Sequence, residues 1–345
     1  MKLKNLLFVS ALALIGFNAC KKSDSTPVPG PPVTPPVTVY VPDNSFKIVA
    51  YMPSYRDPAT VDVSKYKMIT HLFYAFLNIN PIADGSLNAL SEPTRFAVVK
   101  QRAKENKVKF GISIMGSSAN FVTLASTAEA RTRFVTNVVA FAKNNDLDGV
   151  DLDWEYPSTS NGSADTYVLL VKELSTELHK INKFLSAAVT PAVYAGGIRD
   201  GVKAEAHQYV DFFNIMQYDG PGYDSTEPLN HASYKMSVAS LDVWLGTKAL
   251  PKVKAIVGIP LYGENASGSS KGYRDIEATA GVDVNSNLAT VAGVDYGFNG
   301  ITLVKQKAQL AKDRANGIMF WEFSHDSNNS RSLIKAANDQ LGRAY

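Results

Sequence analysis

The chain has 345 residues, enough for one large barrel or two ordinary domains and too many for a small binding module. Its formal charge of +3 is small for that length and leaves no electrostatic footprint for nucleic acid or an anionic surface. No Gly-rich phosphate loop, RNA-binding aromatic signature or basic run is present, and the lone cysteine excludes disulfides within the chain.

In chain order, "MKLKNLLFVSALALIGFNAC" comes first. Two lysines precede an apolar stretch from Leu6 to Phe17, which is too short to span a bilayer and reads as a secretory signal over residues 1–19. The cleavage region resembles that of a bacterial lipoprotein, whose first mature residue is a lipid-modified cysteine. This implies lipidation at Cys20 and a lipid-anchored place in the bacterial cell envelope, periplasmic or at the cell surface. From Cys20 to residue 45 the composition is that of a tether: the prolines crowded between Pro27 and Pro36 favour extended polyproline geometry and leave nothing to build a core. Residues 46–345 are expected to form the folded part.

From Phe46 onward, short apolar runs alternate with longer segments of helical period. Eight runs read as strands: "FKIVAYM" (46–52), "ITHLFYAFLN" (69–78), "VKFGISIM" (108–115), "LDGVDLDW" (147–154), "FLSAAVT" (184–190), "VDFFNIMQY" (210–218), "VKAIVGIP" (253–260) and "NGIMFWEF" (316–323). Helical period marks 95–106, 130–145, 163–182 and 302–315, the third opening on Ser163 as its N-cap. Continuous apolar strands separated by helices call for a parallel sheet covered by helices. Eight such units predict a (β/α)₈ barrel with its working end at the C-terminal ends of the strands. A doubly wound open sheet is the alternative, but no Gly-rich turn follows the first strand.

The fourth run, within "DGVDLDWEYP", carries Asp148, Asp151, Asp153 and Glu155 among apolar residues. A strand alternates faces, so Asp151, Asp153 and Glu155 share one face and Val150, Leu152 and Trp154 the other. With the acid face turned inward, the carboxylates climb in steps of roughly 6.6 Å toward the rim. Like charges that close cannot all ionise in a low-dielectric interior, so a proton must be held or shared among them. The acid at the strand end is then suited to donate a proton near neutrality. A solvated loop or a Mg²⁺ or Ca²⁺ site would also use such acids, but the apolar partners argue against the first and no second acid cluster completes the other. His71, His179, His207, His231 and His325 lack paired zinc-ligand spacing and read as structural. No Gly-x-Ser-x-Gly elbow is present.

"DGVDLDWE" resembles the Asp-x-x-Asp-x-Asp-x-Glu signature of glycoside hydrolase family 18, the chitinase family. The resemblance extends along the folded part through "YMPSYR", "HLFYAFLNI", "MQYD", "GIPLYG" and "GIMFWEFSHD", each on an expected strand. It implies substrate-assisted, retaining hydrolysis of β-1,4-linked N-acetylglucosamine glycans by a monomer without cofactor or metal. By resemblance Glu155 is the acid and then the base, Asp153 orients the substrate's acetamido group, and Asp151 shares a proton with Asp153. Tyr218 donates to the acetamido oxygen and Trp321 floors the cleaved sugar. Asp219 and Gln217 of "MQYD", with Tyr51, Phe76 and Asp148, complete the candidate sugar contacts; Asp148 is expected to support the strand end.

Three departures from the family pattern stand out. Met115 occupies a position where the family commonly has Gly, Glu264 and Asn265 stand where Arg is frequent, and Gly263 to Phe298 is short for the family's α+β insertion after strand seven. A shallower groove is expected. Two other functions are carried alongside chitin hydrolysis: an endo-β-N-acetylglucosaminidase acting on N-glycan chitobiose cores, and a non-catalytic glycan-binding protein, which would ordinarily lack the Glu.

Overall fold

The computed structural model describes residues 39–345; Cys20, the signal segment and most of the expected tether lie outside them. The strands and helices, in chain order, are β1 (Lys47–Pro53), β2 (His71–Asn78), α1 (Pro93–Glu105), β3 (Lys109–Met115), α2 (Ser118–Ser126), α3 (Ala128–Asn144), β4 (Gly149–Asp153), α4 (Ser163–Lys180), β5 (Phe184–Val189), α5 (Gly197–Asp200), β6 (Phe212–Ile215), α6 (Tyr234–Leu241) and β7 (Ala255–Pro260). Then follow β8 (Tyr262–Asn265), β9 (Ser270–Gly272), α7 (Tyr273–Glu277), β10 (Leu288–Val291), β11 (Val294–Gly297), α8 (Ile301–Arg314), β12 (Gly317–Trp321) and α9 (Leu333–Leu341).

Eight strands close into a barrel in the order β1-β12-β7-β6-β5-β4-β3-β2, with parallel pairing throughout. The expected (β/α)₈ barrel is therefore the fold, and each of the eight apolar runs is one of its strands. The insertion after β7 is small: β8 to β11 form a four-stranded antiparallel sheet with the short α7 inside it.

Period-two alternation divides the apolar residues of the barrel strands between two clusters. Val150, Leu152 and Trp154 pack outward with the helices, whereas Val49, Tyr51, Phe73, Phe212 and Met319 pack inside the barrel. Trp154 anchors the outer face of β4: its ring stacks on Phe121 of α2 with centroids 5.2 Å apart. Its indole Nε1 donates to Ser118 Oγ at 3.2 Å. On α4, Tyr167, Leu170, Val171, Leu174 and Leu178 recur at helical spacing and are buried, each worth about 1.5–3 kcal/mol of hydrophobic transfer when fully covered.

Ser163 does not cap α4. Gly162, at φ 74°, holds the N-cap position, while the Ser163 hydroxyl donates to Asn161 Oδ1 at 2.6 Å and accepts from Ser158 N–H. The hydroxyl is thus spent in the preceding turn.

The chain approaches β1 beneath the barrel, at the N-terminal ends of the strands. Tyr40 stacks on His179 with centroids 3.8 Å apart, and Lys47 Nζ donates to the Asp43 carbonyl at 2.6 Å. Asn316 Nδ2 donates to the carbonyls of Asn44 and Ser45. No helix among the described residues is long and apolar enough to cross a membrane.

Candidate active site

A cavity of about 480 Å³ opens at the C-terminal ends of the strands. Strand β4 brings its acids there in steps. Asp151 and Asp153 lie on β4 itself and Glu155 two residues further on, so the alternation of the strand points all three the same way.

Asp151 sits deepest and is fully buried. Its carboxylate accepts from Tyr51 Oη at 2.9 Å, Ser113 Oγ at 2.8 Å, Ser186 Oγ at 2.6 Å and Asn214 Nδ2 at 3.2 Å. Barrel register explains the two serines: Ser113 on β3 and Ser186 on β5 are the direct neighbours of Asp151 on either side. Burial pushes the carboxyl above the usual carboxylate range, and these hydrogen bonds pull it back down.

Asp153 occupies the next inward layer, 4 % exposed, between Met115 and Ala188 in register. Its Oδ1 is buried without a hydrogen-bond partner. Burial, then the charges of Glu155 and Asp151, hold its carboxyl well above the usual range. Asp151 and Asp153 are thus neighbouring buried acids whose carboxyls are both raised, with four donors gathered around Asp151 alone.

Glu155 is half-buried and lines the cavity. Burial raises its carboxyl, the Tyr156 hydroxyl beside it works in the opposite direction, and the Asp219 charge raises it further. The site thus holds a cavity-facing carboxyl whose surroundings favour its protonated form.

Tyr218, Asp219 and Trp321 line the same cavity with Tyr51 and Phe76. Tyr218 is buried, and its hydroxyl is held protonated by burial and by the surrounding carboxylates, so it stands as a donor. Trp321 packs against Phe76 with centroids 5.7 Å apart at 26°, and edge-on against Tyr51 at 5.7 Å. A register shift between β2 and β3 at Ala75/Leu77 turns Phe76 toward the cavity.

Two candidates lie elsewhere. Gln217 is fully buried and outside the cavity lining, its Nε2 donating to Ser240 Oγ on α6; alternation turns it outward between Met216 and Tyr218. Asp148 precedes β4 at the floor of the barrel, where its carboxylate accepts from Phe110 N–H and pairs with Lys109 at 3.4 Å. It supports the beginning of the strand, a barrel height away from Glu155.

Several residues of the site were missed in the sequence. Tyr156 sits beside Glu155. Ser113, Ser186 and Asn214 hold Asp151, and each is a lone polar residue inside an apolar run, which is the signal that could have found them. Asp219, His231 and Glu264 place ligand-type atoms within 4.8 Å of one another, an association that residue spacing does not reveal. His231 Nδ1 accepts the Asp219 N–H at 3.1 Å, so this trio is organised as a hydrogen-bonded cluster with its imidazole lone pair engaged.

Residues 47–326 match the family model described as glycosyl hydrolases family 18. The chain belongs to that family. As a family 18 glycoside hydrolase it is similar to Chitinase 1 of Aphanocladium album, 26 % identical over 83 % of this chain and 81 % of that protein. Its fold matches the crystal structure of a chitinase from Bacteroides thetaiotaomicron, with a TM-score of 0.74 and 24 % identity over 87 % of this chain and 99 % of that one. It also matches a family 18 chitinase from Cycas revoluta in complex with (GlcNAc)3, at TM-score 0.72 and 24 % identity over 86 % of this chain and all, 100 %, of the other. Glu155, Asp153 and Tyr218 all fall within the family 18 match.

Proposed function

We propose that this family 18 barrel hydrolyses β-1,4-linked N-acetylglucosamine chains, chitin or chito-oligosaccharides, with retention of configuration and with the substrate's own acetamido group as nucleophile. The observation that carries this reading is Asp153 Oδ1, a buried carboxyl oxygen without a partner beside the proton donor Glu155. A buried polar atom left unpaired is costly, and a substrate N–H would satisfy it. The acetamido N–H of N-acetylglucosamine supplies that donor.

In the first step the acetamido carbonyl oxygen bonds to the anomeric carbon as the glycosidic C–O bond breaks. Glu155 gives its proton to the departing oxygen. Asp153 accepts the acetamido N–H and offsets the positive charge of the oxazolinium ion; Tyr218 donates to the acetamido oxygen and aligns it. In the second step Glu155, now a carboxylate, takes a proton from water, whose oxygen opens the oxazolinium ring from the side the leaving group vacated. The acetamido group is restored and the product keeps the β configuration. Trp321 offers its indole face as the floor beneath the sugar. The relative from Cycas revoluta takes a trisaccharide of the same unit, which supports the substrate class.

Nuclear magnetic resonance of the first product tests the reading. β-Anomer release from chito-oligosaccharides, with inhibition by a thiazoline mimic of the oxazolinium ion, is expected; initial α-anomer or brisk cleavage of cello-oligosaccharides would overturn it. A parallel mobility-shift assay on an N-glycosylated protein distinguishes chitobiose-core cleavage, and turnover of any kind distinguishes an enzyme from a glycan-binding protein.

We also propose that Cys20 carries lipid and holds the enzyme at the bacterial envelope, on the support of the signal-like segment and the proline-rich stretch after it. Cys20→Ala in the native host is expected to free the enzyme from membranes or block its maturation. An unchanged membrane fraction with no lipid on the mature N-terminus would reject the anchor.

A further inference from the structure

The pairing of β4 with both of its neighbours ends at Asp153, opposite Met115 on β3 and Ala188 on β5. Glu155 therefore stands on backbone beyond the paired part of the strand. A tie for that backbone lies outside the cavity, at the start of α2.

Ser117 and Ser118 open that helix and divide two tasks between them. The Ser117 hydroxyl accepts the Asn120 N–H at 3.2 Å and caps the helix. Ser118 is thereby free of capping. Its hydroxyl accepts the Trp154 indole N–H at 3.2 Å and donates to the Tyr156 carbonyl at 3.1 Å. An indole nitrogen only donates and a carbonyl only accepts, so the direction of both bonds is settled. Phe121, on the same face of α2 one turn on, supplies the ring against which Trp154 stacks. One side chain thus joins the two residues that flank Glu155 and ties both to a helix. Ser118 itself is half-buried and does not line the cavity.

We infer that Ser118 is a positioning residue for the reaction, whose hydroxyl bridges Trp154 and Tyr156 and so holds the Glu155 carboxyl within reach of the departing oxygen. This rests on the reading under Proposed function, in which Glu155 gives that oxygen its proton. Proton transfer needs donor and acceptor within hydrogen-bond reach, and a displacement of about 1 Å is enough to lose ~10²-fold in rate. A single bond to Trp154 would leave the chain free to pivot beyond it. The second bond, to the Tyr156 carbonyl, removes that freedom.

The test compares Ser118→Ala, Ser118→Thr and Ser117→Ala on a chito-oligosaccharide, with the melting temperature of each variant measured alongside. Ser118→Ala should lower kcat by about 10- to 100-fold while KM stays within about twofold, because the side chain lies outside the cavity lining. Ser118→Thr keeps the hydroxyl and should recover most of the loss. Ser117→Ala removes the helix cap, so it should lower the melting temperature and leave kcat alone. In a Trp154→Phe background Ser118→Ala should cost less than in the wild type, since one of its two bonds is already gone. A folded Ser118→Ala protein that keeps wild-type kcat overturns the inference. So does a fall that Ser117→Ala matches or that Ser118→Thr leaves unrecovered. The bridge is also read without turnover. The Trp154 indole N–H proton resonance, assigned by its loss in Trp154→Phe, should move upfield in Ser118→Ala as its hydrogen bond goes. A resonance unmoved by that substitution overturns the inference as well. A wild-type protein that cuts no chito-oligosaccharide would overturn the hydrolase reading instead, with the resonance shift still observed.

Discussion

Tyr51 on β1 donates its hydroxyl to Asp151 on β4 at 2.9 Å, across the full width of the barrel interior. The same oxygen accepts from Asn214 Nδ2 at 2.8 Å. One phenol thus ties three strands to the carboxylate beneath the reacting acids. Tyr51→Phe keeps the ring and leaves a buried carboxylate short of one donor, with Asn214 short of one acceptor. Urea unfolding should show a loss of about 1–3 kcal/mol, the range for leaving a buried polar group unsatisfied. Unchanged stability would show that this bond contributes nothing net to the fold.

Glu155→Gln preserves shape and removes the transferable proton. Turnover of a chito-oligosaccharide should fall by about 10²–10⁴-fold or more, with oligosaccharide binding largely kept. Because the wild-type carboxyl is raised and must enter protonated, kcat should decline as pH climbs through that raised value. A mutant near wild-type turnover would show that another group donates the proton.

Asp153→Asn should stabilise the protein at neutral pH. The folded state holds this carboxyl well above its unfolded range, chiefly through burial. Below the unfolded pKa both states are protonated and nothing is lost; as pH rises toward the folded value, ionisation favours the unfolded chain and stability drains away. Asparagine removes that slope. Thermal melts should show a gain on the order of 1 kcal/mol at pH 7 and a flatter pH profile, alongside a large loss of kcat. A wild-type melting temperature that does not fall over this window would contradict the raised carboxyl.

Trp154→Ala should cost about 3–5 kcal/mol, as large-to-small changes of buried aromatics do. It also removes the peg that fixes the backbone just before Glu155, so kcat should fall even where the fold persists. Trp154→Phe separates the two effects, since it restores the stack on Phe121 without the hydrogen bond to Ser118. Wild-type kcat in a folded Trp154→Ala protein would show that Glu155 needs no such support.

What was legible in the sequence follows from period. Apolar runs between helices are insensitive to distant context, so all eight strands are legible, and alternation along β4 puts Asp151 and Asp153 on one face, which the closed barrel turns inward. Alternation equally places Gln217 outside, opposite to its neighbours Met216 and Tyr218; family resemblance by motif hid that fact because "MQYD" travels as a block. Asp148 was overreached for the same reason. Its acid character joined it to the motif, although residues at the two ends of one strand serve opposite ends of a barrel. The His231 cluster was illegible, since its three members stand on separate loops and strands that only the closed fold brings together.

The floor contacts of Tyr40, Asp43 and Lys47 give the molecule a direction. Because the polypeptide joins the barrel from below, whatever precedes Val39 is attached at the pole farthest from Glu155. The cavity mouth at the C-terminal ends of the strands therefore faces away from the point where the chain enters the barrel, and a long polymer can lie across the rim without meeting that entry.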